Sequence, residues 1–371
     1  MKRLIVCCDG TWQKLSRRYP TNVVKMAQAI KSKGTDNIPQ IIFYDEGVGT
    51  EDKADKIFGG AFGWGIEKNI QDAYRFLCLN YEKNDEIYLY GFSRGAYTVR
   101  SLVGLIYCSG LLTRNKIRQA PRAYQLYREP DIIPDNPEAI LFRQQNGDRV
   151  PITFLGCWDT VGSLGIPDQI PWLPVDEWIN EKYKFHDTSL SPIIQNACHA
   201  VAIDERRKIF DVTPMVKSSK NAEQNLKQIW FPGNHGCVGG GTKAHSGLSD
   251  GALQWMINES KKYKLEFDES KILNGINPDP TIPFDNTIKG IYRLTISHWR
   301  EVSDNWDDLH ESVIERWIQT NLDSKVESKK VNFETNIPYN SENLISKHEV
   351  KLAKKRDQYL EQLHNEAHSN N

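Results

Sequence analysis

No pair of cysteines in this chain has the C-x-x-C spacing of a zinc or redox site, and the seven present are scattered and odd in number. Such usage excludes a disulfide framework and predicts reduced thiols with no metal. Neither sign of charge dominates either: 47 basic residues face 48 acidic ones, for a net charge of -1. That balance removes the electrostatic drive of non-specific nucleic-acid binding, so nucleic acid is not an expected partner. No segment stays apolar for the roughly 20 residues that span a bilayer. The first apolar run, Leu4 to Cys8, is also too short for a signal-peptide core. A soluble, cytoplasmic protein is the expectation. Internal repeats are missing as well, and low complexity is confined to the polar end.

What is present is a rhythm of short apolar strands and helical stretches over 371 residues, enough for one large α/β domain with insertions. Leu4 to Cys8, Gln40 to Tyr44, Glu86 to Tyr90, Ile152 to Cys157 and Gln228 to Phe231 read as buried strands. Between them, Thr21 caps a helix from Asn22 to Lys31, and Gly65 to Asn80 has apolar residues at helical spacing. A third helix, Arg94 to Tyr107, follows its strand directly. Strands alternating with helices predict a mostly parallel central sheet flanked by helices. Residues 111–150 and 166–192 break the rhythm and read as insertions, the first polar and Pro-rich. A helix from Asp308 to Thr320 is expected in a C-terminal helical extension. One catalytic domain is expected over 1–345, followed by a charged tail over 346–371 that forms a solvated, fraying helix.

Gly91-Phe92-Ser93-Arg94-Gly95 is the sharpest local signal. A G-x-S-x-G between strand and helix turns so tightly that bulky neighbours at ±2 would clash, and the serine hydroxyl is raised above the sheet. Such an elbow predicts an α/β-hydrolase fold with Ser93 as nucleophile. The serine needs a base and the base an orienting acid, in the chain order Ser, acid, His, each at a strand end. Asp159 ends the strand that runs into Thr160-Val161-Gly162, and His235 follows Phe231-Pro232-Gly233-Asn234. The bland alternatives are a turn aspartate and a satisfied buried histidine. Rivals exist. His199 and His310 fall in apparent helices, where a structural role is expected; His245 lies close to His235, and Asp204 beside Arg206 and Arg207 reads as an ion-pair carboxylate. The oxyanion hole is expected from the Arg94 amide with that of Gly10 or Thr11, in the turn Cys8-Asp9-Gly10-Thr11-Trp12 after the first strand. Gly59 to Gly65 is similar to a phosphate-cradling loop but lacks the G-K-[ST] ending, and reads as a flexible approach to the helix that follows. No cofactor is required.

Several of these segments recur together in one order. They are Asp9-Gly10-Thr11-Trp12, Pro20 to Val24, Tyr44 to Thr50, Gly59 to Gly65, Gly91 to Tyr97, Trp158 to Gly162, Asp204-Glu205-Arg206-Arg207 and Trp230 to Gly233. On them, roughly residues 1 to 350 resemble the catalytic domain of the first family of type VI secretion lipase effectors. The resemblance implies an α/β-hydrolase fold, phospholipase activity on glycerophospholipid acyl esters, and a triad that maps onto Ser93, Asp159 and His235. It also implies contact with a membrane surface and an immunity or delivery protein as partner. One departure stands out: the family follows its histidine with Ser-Asp before Val-Gly-Gly-Gly, where this chain has Gly236-Cys237.

The expected function is therefore a phospholipase A-type serine hydrolase. Two alternatives stay open, a hydrolase of small soluble esters or thioesters and a catalytically lapsed interaction protein, the latter favoured only by Gly236-Cys237. Trp172, Leu173 and Trp178 are expected either as a lid that touches lipid or as an ordinary packed loop.

Overall fold

Along β1 (Arg3–Cys8), the alternation of a strand sends Leu4, Val6 and Cys8 into one core and Ile5 and Cys7 into another. Both faces are thus covered, which is why the strand reads as an unbroken apolar run. The computed structural model describes residues 1–11, 13, 15–16, 18–47, 59–162, 188–288, 293, 296–321, 339 and 341–369, with backbone alone over 59–64, 364 and 366–369. Strands β2 (Gln40–Asp45), β3 (Glu86–Phe92), β6 (Phe154–Trp158), β7 (Asn196–Ala202) and β8 (Asn225–Phe231) join β1 in one sheet. Two-residue strands β4 (Leu111–Leu112) and β5 (Gly147–Asp148) pair with each other at the neck of the first insertion. The sheet order is β2-β1-β3-β6-β7-β8, with every neighbouring pair parallel. This is an α/β-hydrolase-like architecture. The chain runs from β1 outward to β2 and then returns to β3 on the other side of β1. That reversal puts the switch point of the sheet at the carboxyl ends of β1 and β3, the place where open α/β sheets bind ligands.

One face of the sheet is covered by α2 (Gly59–Asn80) and α3 (Arg94–Ser109), through Tyr74, Leu77, Leu102 and Ile106. The other is covered by α1 (Asn22–Ala29) and α7 (Ser246–Lys261), through Met26, Leu253 and Met256. A buried ion pair, Lys25 Nζ to Asp250 Oδ1 at 2.5 Å, ties α1 to α7. Two expectations change here. The segment around His199 is the strand β7, not a helix. The glycines from Gly59 onward open α2 rather than forming a flexible approach. The first insertion folds into α4 (Ala120–Arg128) and α5 (Pro137–Asn146), each with a proline in its first turn. A proline there lacks only an N–H that the helix would leave unbonded anyway.

The C-terminal part packs on the far edge of the sheet. Val302, Leu309, Val313, Trp317, Leu344 and Leu352 form a third core with Val201, Ile203 and Trp230. Leu309 bridges to Trp230 and so gives the edge strand β8 a short partner. His310 is the N-cap of α8 (Glu311–Thr320), its ring accepting from the Ser312 N–H, and not a residue within the helix. Residue 346, where the tail was expected to begin, lies inside α9 (Glu342–Ser369), whose Leu344 and Leu352 are fully buried.

Candidate active site

Ser93 sits at the junction of β3 and α3 with φ 57° and ψ -120°, a backbone conformation that costs about 1–3 kcal/mol and persists only where neighbours enforce it. The two glycines are what allow it. A Cβ on Gly91 would stand 2.4 Å from the Gly95 carbonyl oxygen, and one on Gly95 would stand 2.0 Å from that of Cys8. Both obstacles are backbone, so neither can swing aside. The Ser93 N–H donates to Trp158 O at 3.0 Å, which pins the elbow to the end of β6.

The hydroxyl reaches an imidazole. Ser93 Oγ lies 2.9 Å from His235 Nε2, and His235 Nδ1 lies 2.5 Å from Asp159 Oδ2. All three are buried, at 3%, 7% and 0% exposure. His235 opens the short helix α6 (His235–Gly239), capped by the Asn234 side chain. Its ring is held between Phe92 and Phe210, with centroids 4.7 and 4.9 Å away. Asp159 follows β6 with φ 42°, and its N–H continues the ladder to Ala200 O at 2.8 Å. The structure thus brings together the three residues selected from the sequence.

It also supplies a partner that the sequence did not suggest. Arg300, 2% exposed, presents both guanidinium nitrogens to Asp159: Nη1 to Oδ1 at 2.6 Å and Nη2 to Oδ2 at 3.0 Å. The same fork donates to Ala202 O at 2.9 Å and to Phe210 O. With the Ala202 N–H on Oδ1 at 2.9 Å and His235 on Oδ2, the carboxylate has four donors. Burial would raise its pKa, but the Arg300 charge and the bonds from His235 and Arg300 hold it well below the usual carboxylate range. Glu205 adds a further contact, accepting from the His235 N–H at 3.2 Å while bound to Arg207 at 2.6 Å.

The rivals have other work. His199 accepts from the Thr160 N–H at 3.1 Å and lies 2.9 Å from Gln228 Oε1, and burial brings its pKa down to about 4. Asp204 takes the Gly233 N–H and the Tyr339 hydroxyl, each at 2.7 Å, rather than Arg206 or Arg207; burial raises its pKa. His245 precedes α7, and its Nδ1 would lie 3.9 Å from a Cβ on Gly236. Of the oxyanion candidates, Arg94 heads α3, whose first N–H groups have no partner within the helix. The turn after β1 lies against Ser93, since a Cβ on Gly10 would stand 3.4 Å from Ser93 Cβ. The Gly10 N–H is committed to Asp9 Oδ1 at 2.7 Å. Cys237 is fully buried against Gly233, and burial pushes its thiol up to about 12. Trp172, Leu173 and Trp178, the expected lid, lie outside the described residues. Among the described residues there is no cluster of metal-ligating side chains and no helix long and apolar enough to cross a membrane.

Fold and site together define a hydrolase of the lipase and esterase type. The chain belongs to the family described as T6SS, phospholipase effector Tle1-like, catalytic domain, whose model matches residues 2–259. Over 240 residues it is 29% identical to an uncharacterised protein of Saccharomyces cerevisiae, YEL023C, covering 58% of this chain and 33% of that one. The chain thus spans about a third of the length of this curated relative. Solved structures similar to it include an uncharacterised protein from Pseudomonas aeruginosa, with TM-score 0.43, 14% identity, and coverage of 96% of this chain and 59% of that one. Another is the Tle1 effector bound to the VgrG spike of the type VI secretion system, with TM-score 0.36, 18% identity, and coverage of 64% and 50%. The metagenomic carboxyl esterase MGS0156 gives TM-score 0.33, 10% identity, and coverage of 71% and 76%.

Proposed function

We propose that the protein cleaves the carboxylic ester bonds of glycerophospholipids as a phospholipase A-type serine hydrolase, with Ser93 as nucleophile, His235 as base and Asp159 as acid. The observation that carries this reading is the unbroken relay Ser93 Oγ–His235–Asp159, with links of 2.9 and 2.5 Å, in a member of a phospholipase effector family. Asp159 receives the Nδ1–H of His235 and so leaves the Nε2 lone pair for the serine proton. Ser93 Oγ attacks the ester carbonyl as its proton passes to Nε2. The tetrahedral intermediate then expels the lysophospholipid alkoxide, which takes that proton back. The resulting acyl-enzyme is hydrolysed by water that His235 deprotonates in turn, releasing fatty acid. The oxyanion would be held by the N–H groups of Arg94 and Thr11, with the positive end of α3 behind them. As a member of an effector family, the chain would meet lipid at a membrane surface and an immunity or delivery protein as partner.

Fatty-acid release from mixed phospholipid vesicles by wild type and Ser93→Ala tests this reading. Release by wild type alone is the expected result. Cleavage of a short soluble ester without any vesicle activity would leave a serine esterase and remove the phospholipid. Inactivity on both substrates would overturn the hydrolytic reading of this chain.

A further inference from the structure

Resting on that reading, we infer that Arg300 is a positioning residue of the reaction, clamping the Asp159 carboxylate so that it holds the His235 imidazole in line with Ser93. Arg300 lies outside the family-matched segment, in an irregular stretch that precedes α8. Its backbone is fixed from two sides. Ser297 and Arg207 form a bridge and His298 N–H donates to Arg206 O at 3.0 Å, which ties the stretch to the loop after β7. Asn343, at the start of α9, donates through one Nδ2 to Arg300 O at 3.1 Å and to Ile203 O at 2.9 Å.

The geometry suits an orienting role. A guanidinium is a planar fork, and here its two nitrogens meet the two carboxylate oxygens, so the carboxylate plane is set as well as its charge. One of those oxygens is the acceptor of His235 Nδ1 at 2.5 Å. Rotation of the carboxylate would therefore carry the imidazole away from Ser93, and the fork opposes that rotation. The backbone donor at Ala202 alone touches one oxygen and cannot do the same.

A positive charge in contact with the acid also bears on pH. Burial works against the Asp159 carboxylate and the Arg300 charge keeps it ionised, so loss of Arg300 lets that carboxyl take up a proton at higher pH. The other charged or titratable groups around the Asp159–His235 pair are Glu205 with Arg207, Asp211 with His298 at 3.3 Å, His199 in β7 and Arg100 from α3. None of them presents a second cationic fork to Asp159 among the described residues. Without Arg300, the acid limb of the pH profile moves to higher pH.

The test is kcat and KM for a short-chain soluble ester, and the rate of fluorophosphonate labelling of Ser93, from roughly pH 5 to 9. Wild type, Arg300→Lys, Arg300→Gln and Arg300→Met are compared, with Ser93→Ala as blank and circular dichroism to check folding. The neutral variants are expected to move the acid limb up by about one pH unit. Their kcat should fall about tenfold or more while KM stays within about twofold. Arg300→Lys keeps the charge but not the fork, so its limb should stay in place while kcat falls about fivefold. Folded neutral variants with the wild-type limb and kcat would overturn the inference. Should neither neutral variant fold, Arg300→Lys decides: folded with wild-type kcat, it reduces Arg300 to a structural ion pair. A wild type that is itself no more reactive than Ser93→Ala would instead sink the hydrolase reading.

Discussion

The family-matched sheet and the C-terminal segment reach the same site in different ways. In the first, Ser93, Asp159 and His235 each follow a strand, and their places are fixed by the backbone. Ser93 is forced into its elbow by two glycines, Asp159 continues a parallel ladder, and His235 opens a capped helix. In the second, nothing at the site is regular. Arg300 arrives from an irregular stretch, held in place by the third core and by the Asn343 amide. The difference teaches that a site can take its geometry from main-chain constraint on one side and from side-chain hydrogen bonds on the other. The two halves should fail differently.

The largest effect should come at the residue where the halves meet. Asp159→Asn is expected to lower kcat about 10⁴-fold, because the amide has one accepting oxygen where His235 and Arg300 use two, and its NH2 facing Nδ1 selects the wrong tautomer. It should also cost roughly 3–5 kcal/mol of stability, since Arg300 is left buried without its counter-charge. His235→Ala should match the loss of activity without that charge defect. Urea unfolding of the two variants separates the effects. Equal stability would mean that Arg300 does not rely on Asp159 in solution.

A second contrast sits within the sheet half. Gly95→Ala places its methyl carbon 2.0 Å from Cys8 O, and the elbow must open to admit it. The expected cost is about 3 kcal/mol or more, with loss of Ser93 labelling. Gly251 lies in α7 with nothing within 4 Å of a built Cβ, so Gly251→Ala should instead gain roughly 0.5–1 kcal/mol. Denaturant midpoints of the pair would show whether backbone approach, rather than glycine as such, fixes the nucleophile.

The same distinction explains what the sequence could disclose. The elbow was legible because strained backbone demands glycine, and the strands β1, β3 and β6 because burial on both faces demands apolar runs; the less buried edge strands β2 and β8 were read from their β-branched and aromatic residues. β7 was not, since Asn-Ala-Cys-His-Ala-Val-Ala is rich in alanine and reads as helix. Small side chains there match a central strand that runs between β6 and β8, beneath the bulk of Trp158 and Phe231. The helices of the first insertion were not read from its polar, Pro-rich sequence, although Pro121 and Pro137 stand where a helix can begin. Arg300 left no trace, because a side chain that acts from an irregular stretch needs no particular neighbours in sequence. Asp204 and Glu205 were adjacent carboxylates beside two arginines, and only folding assigns Arg207 to Glu205.

Breaking the C-terminal clamp one step back from the site should give a smaller loss. Asn343→Ala removes the donor shared by Ile203 O and Arg300 O, leaving two buried carbonyls short of a partner. About 1–3 kcal/mol of stability should go, with a few-fold fall in kcat that stays below that of Arg300→Gln. Unchanged kcat would show that α9 holds the fold but not the site.

The smallest effect is expected where this chain departs from the effector family, at Gly236-Cys237. Cys237 is fully buried, its thiol is kept neutral by desolvation, and the acid that meets His235 Nδ1 is Asp159. An aspartate at position 237 is therefore not needed to orient this base. Cys237→Ala should cost about 1 kcal/mol for the lost packing against Gly233. Ester hydrolysis should stay within about twofold of wild type, because the substitution removes no hydrogen bond of the relay. A tenfold loss of kcat in a folded Cys237→Ala variant would instead place the thiol in the reaction, and the relay through Asp159 would no longer account for the site.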